Sequence, residues 1–254
     1  MMGVRRRLGY VLGGVVLSLC CQSVLWAESL AQFEDWDFEM QKSLGLALAE
    51  AGAWPQAEAY LSVVGPHSQD WNLQLTWAKV RLQLGDVPGA QAVIGEALAQ
   101  HPNNPRVLFM ASDIAADAHD AQTAVAYARR GLALQPQNVR GAQALGRLYY
   151  QQQDWGAVIE TYERLLTYSL PTSEVLVRLS TAYEQQQALG KAEAYLLQNV
   201  EVHTNRLMAL MPLHRFYVRT NQPERARAIE REIERERASR EGSRGLRSLN
   251  PSWK

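Results

Sequence analysis

Cysteine is nearly absent from this chain. The only two, Cys20 and Cys21, sit side by side near the start of 254 residues. Everything after them can form no disulfide, no thiolate metal site and no cysteine nucleophile, so stability must come from packing. A net charge is also lacking: 26 Lys and Arg balance 26 Asp and Glu, which excludes the strong basic excess of a nucleic-acid binder. Long apolar runs are missing after Trp26, as are the Gly-rich loops that cradle phosphates and the Gly-x-Ser-x-Gly turn that exposes a nucleophile. The five histidines (67, 101, 119, 203 and 214) share no helix face and have no metal-type partner four residues on. Asp113 and Asp117 do share a face, but they read as solvated acids. No cofactor, no metal and no enzymatic activity are expected.

What is present begins with the leader. Arg5, Arg6 and Arg7 precede an apolar stretch from Leu8 to about Trp26, and Ala27 stands before the first acid, Glu28. Charge, greasy helix and small residue in that order make residues 1–27 a signal peptide. Two alternatives stay open: an uncleaved membrane anchor, since the run is near the ~20 residues that cross a bilayer, and a lipoprotein at Cys20 or Cys21. Each exports the rest, giving a periplasmic protein or one anchored in the inner membrane and facing the periplasm. Contact with membrane is expected only through that segment. Past the leader the charge divides, with 13 basic against 20 acidic residues over 28–218 and 10 against 6 over 219–254.

The body repeats itself. "HPNNP" at 101–105 and "QPQN" at 135–138 place Pro102 and Pro136 34 residues apart, each behind an Ala-rich stretch. In that frame the chain divides into 38–70, 71–104, 105–138, 139–172, 173–206 and 207–238, with 28–37 leading in and 239–254 following as a disordered basic tail. Each block reads as helix, turn, helix, and no block shows a strand pattern. "GD" at 85–86 and "QDW" at 153–155 turn the chain within a block, and the prolines stop the second helix. Small residues (Gly45, Gly146, Ala57, Ala90, Ala192) let paired helices approach, and large ones fill the gaps beside them. After Ile233 no apolar side chain larger than Ala comes before Leu246, so the last helix is a polar cap.

The spelling resembles the tetratricopeptide repeat, a Trp-x2-Leu-Gly-x2-Tyr helix followed by an Ala-x3-Phe helix ending at Pro. The best copy has Leu145, Gly146 and Tyr149 in its first helix and Tyr162 in its second; Trp77, Ala78, Ala90 and Ala97 match in 71–104, and Leu179, Tyr183 and Ala192 in 173–206. The resemblance implies an all-α fold, a right-handed α-solenoid of about six helix-turn-helix repeats. It also implies a concave groove lined by the first helices, with Leu75, Lys79, Arg106, Phe109, Arg140, Arg147 and Tyr150 as candidate partner-binding residues. Guanidinium forks beside aromatics suit a protein or peptide ligand with acids among apolar residues. Position nine of successive blocks reads Lys79, Asp113, Arg147, Thr181. This departs from the Lys/Asn clamp of chaperone-tail-binding members, so that activity is not carried over. The expected function is an exported scaffold or adaptor for assembly of a bacterial envelope machine: secretion, pilus, polysaccharide or cytochrome maturation. The alternatives are a self-assembling module, with Trp36, Phe38, Leu44, Leu48 and Trp54 forming an apolar end, and an accessory subunit of a polysaccharide system. The sequence leaves oligomeric state open.

Overall fold

The computed structural model describes residues 38–248, with side chains through 239. The leader 1–27, the lead-in 28–37 and the last residues 249–254 lie outside the described residues, so the signal, anchor and lipoprotein readings and Trp36 do too. Twelve α-helices follow in consecutive pairs among the described residues: α1 Phe38–Glu50 with α2 Trp54–Val64, α3 Trp71–Gln83 with α4 Val87–Gln100, and α5 Pro105–Asp117 with α6 Ala121–Leu134. Then come α7 Val139–Gln151 with α8 Trp155–Leu166, α9 Ser173–Gln185 with α10 Leu189–Val202, and α11 Arg206–Arg219 with α12 Pro223–Ser248. One 3-10 turn, Gly65–His67, follows α2, and no strand occurs among the described residues. The fold is the expected all-α solenoid of six helix pairs.

The spacing has a local cause. Within every pair the turn places one residue in the left-handed region: Gly52, Gly85, His119, Gln153, Gln187 and Asn221, with φ between 55° and 79°. The next N–H reaches back five residues to a helix carbonyl, as Asp86 to Arg81 (2.9 Å), Asp120 to Ala115 (2.9 Å) and Asp154 to Tyr149 (3.0 Å). This Schellman closure satisfies carbonyls that a helix end leaves orphaned. Asp86, Asp120 and Asp154 then cap the second helix, accepting from the backbone N–H of Gly89, Thr123 and Ala157. Between pairs, Asp70, Asn104, Asn138, Thr172 and Asn205 cap the next first helix in the same way. The asparagines of "HPNNP" and "QPQN" are thus start signals, and the prolines before them lie just past the end of α4 and α6.

The chain forms two compact units, divided between Gln135 and Pro136. In the first, neighbouring helices from α1 to α6 pack in sequence, and α1, α3 and α5 also touch one another in turn. Its core joins Ala57, Leu61, Leu73, Trp77, Ala78, Ala90, Ile94, Ala97, Val107 and Ile114. In the second, α7 to α12 pack likewise, burying Leu145, Tyr162, Leu165, Leu176, Leu179, Leu196, Leu210, Leu213 and Phe216. Small-to-large interlocks hold both. A Cβ on Gly146 would stand 2.2 Å from the Tyr162 ring, one on Gly131 2.7 Å from Phe109, and one on Gly65 2.2 Å from Trp77.

The last helix differs from expectation in length. Ala226 and Ile233 are buried on it as the repeat frame requires, but it continues to Ser248, past the boundary at 238. Residues 239–248 are therefore helical where a disordered tail was expected. Their Arg, Glu and Leu favour helix, their two glycines only weaken it, and no proline intervenes before Pro251.

Gly146→Ala is expected to destabilise by about 1–3 kcal/mol, since the fully buried Tyr162 ring has nowhere to retreat. Gly95→Ala is its control: nothing lies within 4 Å of a Cβ there, so better helix propensity should gain about 0.5–1 kcal/mol. Urea denaturation followed by far-UV circular dichroism reads both signs.

Candidate interaction surface

The first helix of each pair presents one face to solvent, and within each unit those faces adjoin. In the first unit Lys79 on α3 is exposed, with its ammonium 5.8 Å from the centre of the half-buried Trp54 ring on α2. Arg106, exposed at the start of α5, lies 5.7 Å over Trp71. Both cations are thus held on the surface by aromatic faces. The two apolar candidates of this unit sit elsewhere. Leu75 is buried, a member of the core rather than of an exposed lining. Phe109 is half-buried because Gly131, opposite it on α6, leaves the space its ring fills.

The second unit brings its candidates together. Exposed Arg147 on α7 stands 3.6 Å from Glu174 on α9, which Arg178 also holds at 3.0 Å. The Arg178 guanidinium lies 5.4 Å over the Tyr150 ring, and Tyr150 meets Trp155 edge-on at 5.4 Å. Two helices on, Arg219 of α11 donates two bonds to Glu184 of α9, at 2.8 and 2.7 Å. That carboxylate holds the guanidinium firmly in its charged form. Arg140 is exposed at the start of α7. One surface therefore runs α7–α9–α11, carrying Arg147, Tyr150, Arg178, Glu174, Glu184 and Arg219. On α11 it also carries Met208 and Val218, each 57% exposed. Neither was singled out from sequence. The signal was there: they occupy positions two and twelve of the sixth block, where Glu174 and Glu184 stand in the fifth.

A second arrangement fixes how first helices sit. A glutamate on one pair's second helix accepts from an aromatic donor on the next first helix, and a cation covers the ring. Glu58 of α2 accepts from Trp77 Nε1 (2.9 Å) and Arg81 Nε (3.1 Å), with Arg81 4.4 Å over Trp77. Glu163 of α8 accepts from the hydroxyls of Tyr183 on α9 and Tyr195 on α10, with Lys191 4.8 Å over Tyr183. Glu193 of α10 accepts from Tyr217 of α11 at 2.7 Å, with Arg225 of α12 5.6 Å over that ring. Burial first, and the carboxylate second, push the Tyr195 and Tyr217 hydroxyls up to about 12, and Tyr183 further.

Among the described residues no group of three or more His, Cys, Asp or Glu could hold a metal ion, and no helix is long and apolar enough to cross a membrane.

The comparisons agree with the fold. The family model for the tetratricopeptide repeat matches residues 75–139 and 144–199. Comparison with curated protein sequences finds no match. Among solved structures, a tetratricopeptide repeat protein from Parabacteroides merdae superposes with a TM-score of 0.65 at 14% identity, covering 78% of this chain and 79% of that one. MamA from Desulfovibrio magneticus RS-1, residues 41 to the end, gives 0.60 at 17%, over 66% of this chain and 96% of that one. A chain of the APC/C hetero-tetramer Cut9–Hcn1 gives 0.57 at 18%, over 75% of this chain and 38% of that one. At these identities the likeness is one of fold.

The glutamate–tyrosine contacts predict a pH dependence. Folded hydroxyls above the free value of 10.0 favour the neutral form. Their contribution is fully present below about pH 10 and is lost as pH rises through about 12. Urea midpoints should fall steeply over that window, and Tyr217→Phe should flatten the fall. An unchanged slope in that variant removes Tyr217 from the account.

Proposed function

We propose that this tetratricopeptide-repeat chain is a non-enzymatic scaffold that is exported and holds a peptide or protein partner on the exposed faces of its first helices. Assembly of a cell-envelope machine is its setting. The observation that carries the reading is the surface of the second unit, where three successive first helices present guanidinium groups, a tyrosine and exposed apolar side chains side by side. Such a surface offers bidentate donors for carboxylates and carbonyls, and aromatic or apolar area for side chains, which is what protein recognition requires. A likeness to structures such as the Cut9–Hcn1 assembly supports a role in holding proteins together. The export half rests on the order of charge, apolar run and small residue in 1–27.

Arg147 and Tyr150 are its centre. Arg147 keeps only a long 3.6 Å contact to Glu174, whose carboxylate is held more closely by Arg178, so an incoming carboxylate can claim it cheaply. Tyr150 is braced by Trp155 and Arg178 and loses little side-chain freedom on binding. Leu75 takes no part, being core.

A photoreactive residue at Tyr150 in the living cell should capture a defined envelope protein. Arg147→Glu combined with Tyr150→Ala should weaken that complex at least about tenfold, the loss of one hot-spot contact. Capture of the chain's own copies alone would give the self-assembling module instead. Capture of nothing, with no phenotype from the double variant, would end the scaffold reading.

A further inference from the structure

The α11 face extends the surface in a direction that the arginines alone do not define. Met208, Met211, Arg215 and Val218 recur at three- and four-residue steps along α11, so they share one face of that helix. Met208 and Val218 are exposed by more than half, Arg215 is exposed and Met211 half-buried. The strip spans Met208 to Val218, about 15 Å at the rise of a helix. Arg219, next to Val218, joins it to α9 through Glu184. Charge on this surface has one sign in excess. Arg140, Arg147, Arg178, Arg215 and Arg219 face Glu174 and Glu184, five against two. The surrounding 28–218 segment is acidic by seven, so the excess is local.

The geometry points to an amphipathic acidic peptide as the occupant of this face, its apolar side chains lying on Met208, Met211 and Val218 and its carboxylates on Arg147 and Arg215. This inference rests on the scaffold reading and narrows it to a ligand class and to residues of α11. Two features favour that occupant over a basic or neutral one. The excess of guanidinium groups repels cations and draws carboxylates at long range. The unbranched methionines adapt to differently shaped apolar side chains, so the strip accepts a class of sequence rather than one. The pairing of Glu174 with Arg178, and of Glu184 with Arg219, leaves those cations occupied by the chain's own acids. That makes Arg147 and Arg215 the groups on which partner carboxylates register.

Fluorescence anisotropy on the purified full-length protein tests this with two synthetic amphipathic helices. One carries leucines on one face and glutamates on the other; its counterpart carries lysines in place of the glutamates. The glutamate peptide should bind at least about tenfold tighter than the lysine peptide, with affinity falling as salt rises. Met208→Glu and Val218→Glu should each weaken it about tenfold or more. Val63→Glu, at an equally exposed apolar residue on α2 of the other unit, should leave it unchanged. Far-UV circular dichroism keeps the surface variants honest as folded proteins. Equal binding of the two peptides, no binding of the glutamate peptide, or indifference to both α11 variants overturns the inference. If the protein captured through Tyr150 is lost in Arg147→Glu while the peptide ignores Met208→Glu, the scaffold function stands and this assignment falls.

Discussion

Close approach of paired helices is the constraint on which the rest depends. Gly146 has no side chain because the Tyr162 ring occupies that space, and Gly131 makes room for Phe109 in the same manner. Those two interlocks work within a pair; Gly65 against Trp77 works between one pair and the next. Without disulfides, each helix pair is stabilised by burying its apolar surface against its own partner helix and the pairs next to it. Interlocking is what lets that burial reach interior density. One exception stands in the second unit. Asn199 on α10 is fully buried with neither amide atom partnered, at the register where Val64, Ala97, Gly131 and Leu165 stand on the other second helices.

Periodicity follows from how helices end as much as from how they pack. Six turns share one left-handed residue, yet only Gly52 and Gly85 are glycine. His119, Gln153, Gln187 and Asn221 accept a conformation that costs about 1–2 kcal/mol outside glycine, held by the Schellman bond that follows each of them and, after His119 and Gln153, by an aspartate cap as well. A turn specified by its neighbours tolerates variation at its own strained position. That is why the turns share a shape without sharing a spelling.

Much of the architecture was legible because it is written in steric terms. Pair count, turns and the Gly146–Tyr162 contact all follow from which positions are small and which are large. The surface was legible only in part. Leu75 and Phe109 occupy groove-facing positions by register, but exposure depends on what the facing helix lacks, and a first-helix pattern does not contain that. Lys79 and Arg106 are exposed; that they lie over Trp54 and Trp71 is a contact between pairs that no single block spells out. The glutamates at 58, 163 and 193, which carry no motif, join one pair to the next. Their partners come from separate helices, so no local spacing announces them.

These contacts bear on how the surface can work. A face that binds by electrostatics must keep its cations extended and desolvate them cheaply. On this face the guanidinium groups of Arg106 and Arg178 are oriented by aromatic rings, and those of Arg178 and Arg219 by carboxylates. For those residues the side-chain entropy of ordering, about 0.5–1.5 kcal/mol for each long side chain, has been given up on folding, so they form a fixed frame around Arg147 and Arg215. The same oriented cations cover aromatic faces that would otherwise be open, which works against stacking of a flat sugar ring and in favour of ligands that bring carboxylates. In the scaffold we propose, preorganisation of this kind lets the surface discriminate between partners by charge. It also ties the proposed recognition to the helix-to-helix contacts that hold each unit together, so that face stays intact only while its unit is folded.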